Sequence, residues 1–221
     1  MLDRSSLEHK MKTLKICVIM PTYNNERTLK TVIDGVLEIT KDLIVINNSA
    51  TDATFRILKT YTEITQIFLT KNKGNGNALR IGFKKAEALG YDFAVTLKPD
   101  RQYYLKYIAV FVNQLEFETN KNLLLIGSAN RDQKTVSGRM SFTDKLSIFL
   151  YKLQTGIQLK NTQSGFRLYP LKELNNIKFF TTKSEFEIEN IVKAAWRGIS
   201  VKNVPVKVSI DHQERATHLK S

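Results

Sequence analysis

Five short apolar runs, alternating with four helical patterns, constrain this chain more than any other feature. They lie at 15–20, 43–46, 67–69, 93–97 and 123–126. Each is too short to be a buried helix and too continuously apolar for a strand with one wet face, so each reads as a strand covered on both sides. Between them the spacing predicts helices over about 24–37, 51–58, 75–89 and 104–117. Strand–helix alternation of this kind requires an α/β fold with a mostly parallel central sheet covered by helices, whose ligand sits beyond the strand carboxyl ends.

The ends of these elements are equally readable. Pro21 is expected to end the first strand. Asn24 or Asn25 is placed to cap the first helix, whose inner stripe is Leu29, Val32, Ile33, Val36 and Leu37, and Thr51 or Asp52 to cap the second. Gly74 and Gly76 open the third. Beyond Gly127 the pattern becomes a polar loop with Arg131, Lys134 and Arg139, an amphipathic helix over 142–153, the segment Gln163-Ser164-Gly165-Phe166-Arg167, a helix near 185–195 and a strand over 199–208. Trp196 and Tyr151 read as packing residues. Residues 1–13 read as a polar lead-in, 14–210 as a single domain and 211–221 as a basic tail.

Composition narrows the functional classes. The single cysteine, Cys17, lies in an apolar run, which excludes an internal disulfide and argues against a thiolate metal site. No run approaches the roughly 20 apolar residues of a membrane span, and a cytoplasmic setting is expected. The net charge of +13 implies attraction to polyanions. Without any nucleic-acid motif, it points to phosphates or to the cytoplasmic face of an anionic membrane rather than to nucleic acid. The 142–153 helix has two readings, as a core element and as an interfacial element delivering a lipid from that surface.

The strand ends carry Pro21-Thr22-Tyr23-Asn24, Asn47-Asn48-Ser49, Lys71-Asn72-Lys73-Gly74 and Lys98-Pro99-Asp100-Arg101-Gln102. Amides suit the edge of a nucleobase, and lysines suit phosphates. Asn72-Lys73-Gly74-Asn75-Gly76-Asn77 is neither a Walker loop nor a three-glycine dinucleotide fingerprint. Its place at a helix entry nevertheless favours an anion.

In this order, Val18 to Glu26, Val45 to Asp52, Asn72 to Arg80 and Thr162 to Pro170 resemble the motifs of family 2 glycosyltransferases, and most nearly those of the dolichyl- or polyprenyl-phosphate sugar transferases. The resemblance covers about 14–218. It implies a GT-A (nucleotide-diphospho-sugar transferase) fold, a UDP- or GDP-linked sugar donor and inverting transfer to a lipid phosphate at a membrane surface. By the same resemblance Pro21, Tyr23, Asn24, Asn25, Glu26 and Asn47 line the donor pocket, and Lys73, Gly74 and Gly76 border the nucleotide. Asp100 and Gln102 become metal ligands, and Gln163, Ser164 and Arg167 meet phosphates, with Arg131 and Arg139 nearby.

Several acidic positions of that pattern are changed. Asn47-Asn48 replaces a pair of aspartates, Lys98 the first carboxylate of the Asp-x-Asp metal site, and Asn161 the aspartate before Thr-Gln-Ser-Gly. An ammonium beside Asp100 and Gln102 weakens a site for Mg²⁺ or Mn²⁺, which require hard anionic oxygens. Two expectations follow. In one, the enzyme is metal-independent, with catalytic Lys98, Asp100 and Arg167, the Lys98 ammonium taking up the charge of the leaving diphosphate. In the other, the domain is catalytically impaired and serves as a binding or scaffold protein.

Overall fold

The computed structural model describes residues 4–99, 105, 107–129, 152, 156, 164–183 and 185–206. The elements in chain order are α1 (Arg4–Thr13), β1 (Ile16–Thr22), α2 (Leu29–Leu37), β2 (Leu43–Asn47), α3 (Thr54–Lys59), β3 (Thr65–Phe68) and α4 (Asn75–Ala88). They continue with β4 (Phe93–Thr96), α5 (Tyr107–Phe117), β5 (Leu123–Ala129), β6 (Arg167–Pro170), α6 (Leu171–Asn175), α7 (Phe186–Trp196) and β7 (Ser200–Val206). The expected helix at 142–153 and the tail at 211–221 lie outside the described residues, as does Tyr151.

The strands form one sheet in the order β3-β2-β1-β4-β6-β5-β7. β1 runs parallel to β2 and β4, β2 to β3, and β5 to β7. β6 alone is reversed, antiparallel to both β4 and β5. The sheet is thus mostly parallel, as expected. The reversed strand matters for function because it brings the amino end of β6 to the end where β4 finishes, with Thr96 opposite Arg167.

β1 shows why the apolar runs are continuous. Ile16, Val18 and Met20 pack on one face of the sheet with α1, α2 and α5, while Cys17 and Ile19 pack on the other with α4, α6 and α7. A period-2 strand between two helical layers needs apolar side chains at every position. Cys17 has no exposed surface, and its burial pushes its thiol well above the ordinary range.

Four expectations are corrected. The lead-in is a helix: α1 buries Leu7 and Met11, and Lys10 binds Glu116 of α5 at 2.6 Å. β1 runs through Pro21 to Thr22, with Pro21 buried and opposite Ile46. α2 starts at Leu29, later than a cap at Asn24 or Asn25 implies, because the Asn25 carboxamide accepts from the Tyr23 N–H and the Thr22 hydroxyl instead. Trp196, expected to pack, is 62% exposed at the last residue of α7.

Candidate active site at the strand carboxyl ends

The carboxyl ends of β1, β2 and β4 and the amino end of β6 lie on one side of the sheet, and the loops that leave them are bonded to one another. Asn24, in the left-handed region at φ 53°, accepts the Thr51 N–H at 2.8 Å. Glu26 accepts the Ala53 N–H at 2.9 Å, and Asp52 accepts the Glu26 N–H at 3.0 Å and the Thr54 N–H at 2.9 Å. These reciprocal bonds lace the β1–α2 loop to the start of α3. Burial would raise the Asp52 carboxyl, but the bonds from Thr54 and Glu26 outweigh it and hold it below its usual value.

Asn47 and Asn48 are both buried. Asn47 Oδ1 accepts the Ala50 N–H at 2.8 Å, so its carboxamide shapes its own turn. Asn48 Nδ2 donates to Asn72 Oδ1 at 2.8 Å, and the same oxygen accepts the Gly74 N–H at 2.9 Å. The β2 and β3 loops are thereby tied together through neutral amides. Tyr23 is 45% exposed over this loop cluster, and Lys73 is also exposed.

Gly74 and Gly76 have a packing reason that the sequence did not disclose. A Cβ on Gly74, whose φ is +91°, would stand 2.5 Å from the Thr182 carbonyl oxygen, and one on Gly76 would stand 2.5 Å from Phe186 Cβ. The Asn77 N–H donates to that Thr182 carbonyl at 3.0 Å. Part of the α4 amino terminus expected to face an anion is therefore spent on the 182–186 segment. The residues just before Thr182 are clamped: Glu189 accepts the Phe180 and Thr181 N–H groups, each at 2.8 Å, and pairs with Lys193 at 2.6 Å. Burial would raise the Glu189 carboxyl, yet these bonds, with that from the Thr181 hydroxyl, hold it at about 2.

Arg167, expected at a phosphate, has no exposed surface. Its Nε donates to the Ser164 carbonyl at 2.6 Å. Its Nη1 lies 2.8 Å from the Glu187 carbonyl, 3.0 Å from Asn190 Oδ1 and 3.3 Å from the Tyr169 hydroxyl. Ser164 is buried as well, its hydroxyl accepting the Phe166 N–H at 3.3 Å. In this structure the pair joins β6 to α7 from inside. Asp100, Gln102, Arg131, Arg139, Asn161 and Gln163 lie outside the described residues.

Lys98 is partly exposed. It follows β4 in a turn fixed by a hydrogen bond from the Thr28 hydroxyl to the Pro99 carbonyl. Its ammonium stands 3.2 Å from Glu187 Oε1, with side-chain exposures of 39% for Lys98 and 10% for Glu187. Glu187 was missed from sequence, although a signal existed. Positions 187, 190, 191 and 194 form the buried stripe of α7, and two of them, Glu187 and Asn190, are polar. Polar groups on an apolar stripe need partners.

Comparison with known proteins identifies the family and the fold. The chain is 26% identical over 215 residues to UDP-N-acetylglucosamine–dolichyl-phosphate N-acetylglucosaminyltransferase of Methanococcus voltae, covering 87% of this chain and 84% of that protein. It is 28% identical over 182 residues to dolichyl-phosphate beta-glucosyltransferase of Drosophila melanogaster, covering 71% of this chain but only 55% of the fly protein. Among solved structures, glucosyl-3-phosphoglycerate synthase from Mycobacterium tuberculosis, in complex with Mn²⁺, UDP and phosphoglyceric acid, superposes with a TM-score of 0.71 at 19% identity. The match covers 94% of this chain and 74% of that one, and confirms the GT-A-like fold. The glycosyl transferase family 2 profile matches residues 17–177, and the chain is a member of that family.

Proposed function

We propose that this protein is a glycosyltransferase that moves a sugar from a nucleotide-sugar donor to a polyprenyl or dolichyl phosphate at a membrane surface, with inversion at the anomeric carbon. The observation that carries the reading is the family 2 match spanning β1 to α6, on a fold whose strand-end loops gather amides and a surface lysine on one side. The acceptor reading is supported by the relatives named for dolichyl-phosphate substrates. None of the helices among the described residues is long and apolar enough to cross a membrane, so contact with the lipid would be peripheral in this part of the chain.

In the proposed reaction an oxygen of the lipid phosphate attacks the anomeric carbon. The bond from that carbon to the nucleoside diphosphate breaks, and its electrons leave with the diphosphate oxygen. A phosphate is already anionic near neutral pH, so no strong general base is required. The charge growing on the departing diphosphate needs a cation. Some of the matched structures contain Mn²⁺ or Mg²⁺. In this chain the described residues do not fit a hard dication well: the described carboxylate beside Lys98, that of Glu187, is already paired with the ammonium. Lys98 is therefore assigned the electrostatic role, and no step is routed through a metal. Tyr23, Asn24 and Glu26 would shape the donor side, and Arg131, Arg139 and Gln163 would meet phosphates.

The test is calorimetric titration with UDP, GDP, UDP-glucose and GDP-mannose, with Mn²⁺ and with EDTA, beside a Lys98→Asp variant. Binding of one nucleotide series in EDTA that becomes Mn²⁺-dependent in the variant is the expected result. Failure to bind any nucleotide under either condition would overturn the transferase reading in favour of a scaffold.

A further inference from the structure

Lys98 is held along its whole length. Its stem crosses Gly165, where an added Cβ would stand 2.8 Å from Lys98 Cε and 3.4 Å from Nζ. Only a residue without a side chain leaves that channel open. At its tip the ammonium meets Glu187, with the carboxylate almost buried behind it and part of the lysine facing outward. The first turn of α7, which carries Glu187, is in turn fixed from inside the protein. Arg167 Nη1 donates to the Glu187 carbonyl and to Asn190 Oδ1 one turn further on.

A lysine on a flexible four-carbon stem is a poorly placed charge unless something orients it. A group that must stabilise developing charge gains most from being set in advance. We infer that Glu187 is a positioning residue for this transferase: with Gly165 as the channel, it sets the Lys98 ammonium where the diphosphate of the donor is bound. This rests on the role proposed for Lys98, and it gives Glu187 no contact with substrate. It also explains the pairing of a buried acid on an apolar stripe with a glycine in a neighbouring turn, two features that a simple surface ion pair does not need.

The experiment is a double-mutant cycle on the full chain, read first as UDP affinity in EDTA and then as turnover with UDP-N-acetylglucosamine or UDP-glucose and dolichyl phosphate in detergent micelles. Glu187→Gln removes the carboxylate at nearly constant shape. Gly165→Ala displaces the lysine without changing any charge. Each is expected to weaken cation-free UDP binding about fivefold to tenfold, and to lower kcat by a similar factor with donor KM nearly unchanged. In a Lys98→Met background, Glu187→Gln is expected to change UDP affinity less than about twofold, because the group it acts through is gone. Equal effects of Glu187→Gln in both backgrounds would make Glu187 a structural residue and overturn the inference, as would no effect in the native background. If the unsubstituted protein binds no UDP or GDP at all, the proposed function falls first, an outcome distinct from additivity in a protein that binds.

Discussion

The two halves of the crevice are held by different kinds of bond. Around β1, β2 and β3 the loops are joined mostly through amides and backbone groups: Asn24 to Thr51, Asn47 to Ala50, and Asn48 and Gly74 both to Asn72. Around β6 and α7 the contacts are made by charged side chains that are buried or half-buried, with Arg167 in the interior bonded to neutral oxygens, Glu187 against Lys98 and Glu189 against Lys193. Removing a hydrogen bond from an exposed loop costs little, whereas removing a buried charged group or its partner is costly. The exposed loop ties around β1 and β2 are thus expected to tolerate substitution, and the β6–α7 half to resist it.

The largest expected effect tests that contrast directly. Arg167→Ala would remove the interior bonds that its guanidinium makes to the Ser164 and Glu187 carbonyls and to the Asn190 amide oxygen, and a loss of about 3–5 kcal/mol in urea unfolding is expected. Asn24→Ala on the other side removes exposed bonds to one residue, Thr51, and should cost about 1 kcal/mol. Comparable losses in the two variants would break the comparison.

The glycines sharpen it. Gly76→Ala drives a methyl into Phe186, at the seam between the halves, and should cost about 1–3 kcal/mol by overpacking. Gly90→Ala meets nothing within 4 Å but keeps a φ of +88°, so its cost should be nearer 1 kcal/mol, from backbone strain alone. Melting temperatures of the two proteins would rank them.

A smaller effect is expected in acid. Glu189 sits at about 2 in the fold against an ordinary 4.5, so its bonds to the 180–181 backbone stabilise the protein above about pH 4.5. That contribution disappears as pH falls from 4.5 toward 2, when the unfolded chain takes up the proton first. Glu189→Gln should flatten the acid limb of the melting-temperature profile within this window while changing the response above pH 5 little. An unchanged acid limb would show that other carboxylates carry it.

The same contrast explains what could be read in advance. The parallel strands were visible because each one is a local pattern, a run of apolar residues closed by turn formers. Their partners follow from the alternation with helices. β3 was placed only to within two residues, since an edge strand with half-exposed side chains has a weak pattern. The loops after β1 and β2 were legible as loops for the same local reason. The complete burial of Arg167 was not legible in its own segment, because it depends on α7, about 20 residues later. The pairing of Lys98 with Glu187 joins positions 89 apart, and no local pattern encodes such a contact.

Cys17 lies in β1, between β2 and β4, with no exposed surface and a thiol whose ionisation is suppressed. A thiol-reactive dye can therefore label this protein only when the centre of the sheet parts, because the chain contains no other sulfhydryl to react first. The molecule carries its own stopwatch. The labelling rate in native buffer, followed with and without a nucleotide, would time the opening of the central strands without any engineered probe.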